Sequence, residues 1–186
     1  IHLYHPSFLK LISYSKHLGQ PFSIETISGN KGPFRDDIRA LWDWAPHDIA
    51  MCIKLLNEFP KLNKAKYLRR DFNYSIPGEL LEIELLFPIG IKANLIIGNL
   101  LEKKLKKFSL NYSDLSLVYN PHRSKSLYKL KNSEKKIFIN SSSETPLSNI
   151  ITKFVASIEN KSSNLEDIFL SIQITKLISE IEKIIK

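Results

Sequence analysis

The sequence has one cysteine, Cys52, one methionine, Met51, and six glycines in 186 residues. A single thiol excludes an intrachain disulfide and any zinc cage built on cysteines, and it fits a reducing, cytoplasmic setting. The glycines (Gly19, Gly29, Gly32, Gly78, Gly90 and Gly98) are dispersed, and none opens a strand–glycine loop–helix unit. The usual dinucleotide-binding fingerprint is therefore missing from this chain. No apolar run reaches the roughly 18 residues that a membrane-spanning helix needs. The chain opens on Ile1 instead of methionine, and the expectation is a segment of a longer protein.

The bulk composition is that of a folded domain. With 43% hydrophobic and 25% charged residues, wholesale disorder is excluded. The length suits one domain, or two small ones, with a sizeable core. A net charge of +8 raises the question of nucleic acid. The excess is mostly lysine, scattered among isoleucine, asparagine and serine. Two denser patches, 61–70 and 103–107, are interrupted by Leu62, Leu68 and Leu105, as on solvated strand or turn surfaces. Clustered arginines with exposed aromatics, a helix-turn-helix pattern and an RNA-binding aromatic strand are all lacking, so neither nucleic acid nor membrane is expected as a partner.

Periodicity predicts a helix from His5-Pro6 to Gly19, with proline in the first turn and glycine just past the end. Phe22, Ile24 and Thr26 alternate as a short strand, and Ser28-Gly29-Asn30-Lys31-Gly32-Pro33 reads as a loop. A second helix is predicted from near Pro46 to about Asn57. Strands follow around 67–68, 80–87, 91–97, 108–112, 115–119, 127–130 and 137–139, with Pro88-Ile89-Gly90 as a hairpin turn. Within 79–87, Leu81, Ile83, Leu85 and Phe87 share one face; Leu80, Glu82, Glu84 and Leu86 share the other. Two helices close the chain, one from Pro146 carrying Phe154 and one over 165–185, joined by a short loop at 161–164. Ile168, Phe169, Ile172, Leu177, Ile178 and Ile181 are expected to point toward the core. Connections too short for crossover helices imply a mostly antiparallel sheet. The fold class is therefore α+β: one large open, mostly antiparallel sheet with helices packed on one face.

The segment from Gly32 to Asp48 holds both tryptophans and the densest mixture of Asp, Arg and His. Asp43 and His47 are four residues apart where a loop meets a helix. With Pro46 as the first helical residue, the helix dipole favours a neutral His47 and the nearby Asp43 carboxylate favours the protonated form. An imidazole under such opposed influences is suited to general acid or base work near neutrality. Spacing alone also fits a bland reading, with Asp43 as a helix cap and His47 as a satisfied polar residue. Arg35 and Arg39 read equally as solvated loop charges or as anion-binding groups. Trp42 and Trp44 fit core and pocket wall better than stacking platforms.

The segment Leu41-Trp42-Asp43-Trp44-Ala45-Pro46-His47-Asp48-Ile49 resembles the Asp-x-x-x-His signature in the second domain of the Gfo/Idh/MocA family, named for glucose–fructose oxidoreductase and inositol dehydrogenase. The opening Leu3-Tyr4-His5-Pro6-Ser7-Phe8-Leu9-Lys10 resembles the start of that domain. Phe87-Pro88-Ile89-Gly90-Ile91-Lys92-Ala93 resembles its hairpin, and Pro146-Leu147 onward its closing helices. The run Gly32-Pro33-Phe34-Arg35-Asp36-Asp37 is most similar to members acting on sugars or nucleotide sugars.

The resemblance implies that residues 1–186 form one C-terminal domain, preceded in the whole protein by a Rossmann domain that binds NAD or NADP. The family's Glu-Lys-Pro triplet has no counterpart before His5, so the chain alone is expected to be inactive. His47 and Asp43 are the implied catalytic residues, with Arg35, Trp44, Tyr4 and His5 on the substrate side. The implied partners are a sugar or nucleotide-sugar substrate, the Rossmann domain, and further copies of the chain meeting through the sheet. The alternative is a non-catalytic sheet domain used for binding or assembly.

Overall fold

The computed structural model describes residues 1–123, 125–131, 135–161 and 165–185. A short turn at His2–Tyr4 leads into α1 (Pro6–Leu18), β1 (Ser23–Lys31) and α2 (Ala40–Leu56). Seven strands follow: β2 (Lys61–Asp71), β3 (Gly78–Leu86), β4 (Lys92–Gly98), β5 (Leu100–Asn111), β6 (Leu115–Tyr119), β7 (Leu127–Lys131) and β8 (Lys135–Phe138). The helices α3 (Pro146–Glu159) and α4 (Leu165–Ile184) close the chain. The loop expected between them lies, past residue 161, outside the described residues.

The eight strands form one open sheet in the order β2-β3-β4-β1-β5-β6-β7-β8. The expected α+β architecture holds, with one feature periodicity did not show. β1 inserts at the centre, parallel to β4 and antiparallel to β5. Every other neighbouring pair is antiparallel. As expected, Leu81, Ile83, Leu85 and Phe87 are buried together. They join Ile24, Ala93, Leu95, Ile97, Phe108, Leu110, Leu117 and Tyr119 under α1, α2 and the C-terminal half of α4. The opposite face carries Glu82 and Glu84, which pair with Lys66 at 2.8 Å and Lys92 at 3.5 Å. The lysine-rich patch at 61–70 is an edge strand, where charge deters pairing with another sheet.

β2 and β5 are longer than expected, and three further differences bear on the core and the site. β1 runs straight through Ser28-Gly29-Asn30-Lys31, read as loop from its glycine. That glycine serves close approach: a Cβ on Gly29 would lie 2.1 Å from the carbonyl oxygen of its β4 neighbour Gly98. Gly98 is itself at φ +151°, with the Glu79 carbonyl 2.0 Å from where its Cβ would be. The second difference is α2, which starts at Ala40, six residues before Pro46, and ends at Asn57 in the left-handed conformation (φ 54°). The third is the first half of α4, which with α3 lies off the core. No residue of α3 is buried, and Ile168, Phe169 and Ile172 are 58%, 53% and 47% exposed. Their apolar stripes face away from the core.

Candidate active site

Because α2 begins at Ala40, Asp43 is in its first turn and His47 lies a turn further on, on the same face. This overturns both local arguments from the sequence. The N-cap is Arg39 and not Asp43, and His47 is beyond the reach of the dipole at the helix end. Asp48, rotated about 100° from His47 by the helical turn, turns inward toward the sheet. Its side chain is fully buried against the sheet, where Lys106 Nζ donates to Oδ1 at 2.6 Å. Asp48 Oδ2 has no hydrogen-bond partner among the described residues. Lys106 belongs to the run 103–107 expected on a solvated surface. It is only 4% exposed, because 106, 108 and 110 share the inner face of β5 with the core residues Phe108 and Leu110.

His47 stays open to solvent on one side. On the other, the His2 ring meets it edge-on with centroids 5.9 Å apart. His2 Nδ1 lies 3.3 Å from the hydroxyl of the buried Tyr119, whose ring also packs against His5 at 5.1 Å. Partial desolvation, together with the Lys106 ammonium, holds the His47 pKa below the ordinary histidine value, with Asp48 and Asp43 opposing. The same two causes push His2 down to about 3. Burial alone lowers His5 and drives the Tyr119 phenol up. Both rings of the pair are therefore neutral imidazoles at neutral pH, and His2, held far down, resists protonation.

His2 gives a pH signature. Between about 3 and the ordinary histidine range the unfolded chain binds a proton at His2 that the folded chain refuses, so stability rises with pH across that window and falls on acidification. Thermal melts from pH 7 to pH 4 should show a smaller loss in His2→Phe than in wild type. Equal losses would show that His2 titrates freely in the fold.

The other residues singled out in the sequence divide. Arg35 and Asp43 come together, NH1 to Oδ1 at 3.8 Å, while Arg35 also holds Asp37 through two hydrogen bonds of 2.9 and 2.8 Å. Trp44 is half-buried against the core beneath α2. His5 caps α1, its Nδ1 accepting from the Ser7 amide at 3.2 Å. The Tyr4 hydroxyl is engaged elsewhere, donating to Asp167 Oδ2 at 3.4 Å and accepting from Lys153 at 3.2 Å. Arg39 belongs to a separate buried cluster on Glu79. His2, Lys106, Asp48 and Tyr119 were not singled out. Alternation along β5 could have found Lys106; nothing in the sequence marks His2. Two surface concavities, of about 400 Å³ beside Pro6 and Asn149 and about 480 Å³ beside Phe22 and Tyr112, are not lined by His47. Among the described residues, no group of acidic, histidine and cysteine side chains is placed to hold a metal, and no helix is long and apolar enough to cross a membrane.

The chain has the fold of Gfo/Idh/MocA-type oxidoreductases over about three-fifths of their length. UDP-N-acetylglucosamine 3-dehydrogenase GnnA from Acidithiobacillus ferrooxidans superimposes with a TM-score of 0.75 at 14% identity, over 97% of this chain and 58% of its own. KijD10, a 3-ketoreductase from Actinomadura kijaniata solved with NADP, gives 0.80 at 13% identity, over 100% of this chain and 59% of its own. Its open conformation, in complex with TDP-benzene and NADP, gives 0.81 at 13% identity, over 100% of this chain and 60% of its own. No family model matches the chain, and no curated protein matches it.

Proposed function

We propose that this chain is the substrate-binding and catalytic half of an NAD(P)-dependent oxidoreductase that moves hydride between a sugar or nucleotide-sugar carbon and a nicotinamide. The observation that carries the reading is His47, a solvent-facing imidazole kept in its base form on the helix that bears the Asp-x-x-x-His spacing. Gly29 and Gly98 are closed off by neighbouring backbone, so neither cradles dinucleotide phosphates. The cofactor, held chiefly by a preceding Rossmann domain, supplies the hydride acceptor when bound. This chain's part is the proton. As the carbinol carbon is oxidised to a ketone, its hydroxyl proton passes to His47 and leaves to solvent from the open side. Asp43 steadies the resulting imidazolium, and the Arg35 charge close by draws an anionic part of the substrate. Trp44, Tyr4 and His5 are proposed for the wall of the site, and the outer sheet face for contact between copies.

The test is oxidation of UDP-N-acetylglucosamine and other nucleotide sugars by the full-length protein with NAD and with NADP, followed by nicotinamide absorbance. Turnover of one of them supports the reading; no turnover of any sugar or nucleotide sugar overturns it. With the best substrate, Arg35→Ala should raise KM about tenfold, the scale of a lost charge-assisted hydrogen bond, with kcat within about threefold. An unchanged KM removes Arg35 from the site.

A further inference from the structure

A buried ion pair is a poor device for stability, because desolvating both charges costs several kcal/mol and an apolar pair of similar volume is often at least as stable. The Lys106–Asp48 pair is such a case: side chains 5% and 0% exposed, one 2.6 Å bond, and one carboxylate oxygen without a partner among the described residues. Its position is specific. Asp48 is the residue after His47 on α2, and Lys106 lies beneath it on β5, diagonal to Tyr119 across the Phe108–Tyr119 register pair. Tyr119 in turn touches His2, whose ring packs on His47. Lys106 is thus a buried side-chain cation beside the histidine face.

We propose that Lys106, anchored by Asp48, is a positioning residue for the proposed reaction: it is the buried cation of β5 to which the turn of α2 carrying His47 is tied, and its charge acts on the proton transfer at His47. This rests on the reading of His47 given above. The charged and titratable groups whose charges act on His47 are Lys106 from β5, Asp43 and Asp48 from its own helix and the Ile1 amine, while the His2 ring of the opening turn packs against it. Burial disfavours the imidazolium most, and Lys106 comes next, ahead of the Ile1 amine, with Asp48 and Asp43 acting in the opposite direction. The 2.6 Å bond to Asp48 fixes the ammonium between β5 and the turn of α2 that carries His47, and the same charge acts on His2 and His122.

The experiment is a ring-nitrogen NMR titration of His47, assigned by its absence in His47→Ala, in wild type, Lys106→Met and Lys106→Met/Asp48→Leu. The double variant removes both charges and leaves no buried carboxylate unpaired, so it reports even where the single variant fails to fold. His47 is expected to titrate at higher pH in both variants, and further in the single one. In the full-length enzyme, kcat/KM for oxidation should fall about fivefold at the acidic end of the profile, with the loss shrinking as pH rises. A folded variant in which His47 titrates as in wild type, or whose rate loss is the same at every pH, overturns the proposal. A His47→Ala enzyme that stays active would instead overturn the proton-acceptor reading, leaving the titration result intact.

Discussion

Replacing His47 with alanine in the full-length protein is expected to lower kcat for nucleotide-sugar oxidation about 10²-fold or more while changing KM only a fewfold. That is the scale of a lost general base, and the kcat-weighted pattern is that of an interaction made in the transition state. The fold should survive, because His47 lies at the rim of α2 and contributes nothing to the buried core. Wild-type melting of the variant would show as much. Free imidazole in the assay should recover part of the lost rate, since the truncated side chain leaves an opening on the solvent side. Asp43→Asn is expected to cost less, about tenfold, because Arg35 already shares the Asp43 carboxylate at 3.8 Å. Turnover of His47→Ala within a fewfold of wild type would sink the assignment of His47, and with it the reason for placing substrate beside α2.

Where the sequence was legible, local and global signals agreed. The Pro88-Ile89-Gly90 turn and the alternation from Leu81 to Phe87 placed the β3–β4 hairpin, and the first helix runs from a His5 cap to Gly19 as expected. The misreadings came from giving local punctuation more weight than burial. Pro46 reads as a helix start because it lacks an N–H, yet Ala40, Leu41 and Ala45 are buried on the turns around it, and that packing outweighs one missing helical bond. Gly29 reads as a turn, but it answers to a β4 backbone that arrives some seventy residues later in the chain. The helical period of α4 was right, but only its second half reaches the core, since a period reports that a face is apolar without saying what covers it. The site shows the same divide. The Asp43–His47 spacing is local and could be read. The partners that set the chemistry of His47, namely His2 and Lys106, come from the opening turn and a central strand, and only the fold joins them.

Arg39 tests whether an arginine beside the site binds ligand or holds the fold. Its guanidinium donates to Glu79 Oε1 at 3.2 and 2.5 Å and to the Tyr67 hydroxyl. Arg70 approaches the same carboxylate at 3.7 Å and stacks over the Tyr67 ring at 4.4 Å. Glu79 is fully buried at the start of β3, its amide donating to the Asn99 side chain at 2.7 Å. A carboxylate in that place needs its cations, and removing one partner of a buried pair typically costs 3–5 kcal/mol. With Arg70 remaining and Arg39 itself partly exposed, Arg39→Met is expected to cost about 3 kcal/mol. For a chain of this length that lowers Tm by about 10 °C. The double variant Arg39→Met/Glu79→Met should recover much of that loss, because no buried charge is then left unpaired. The substrate KM of Arg39→Met, measured well below its melting temperature, should stay within about twofold of wild type, in contrast to Arg35→Ala. A melting temperature left in place with a KM raised tenfold would reverse the two assignments, making Arg39 the anion-binding arginine and leaving Arg35 a loop charge held by Asp37.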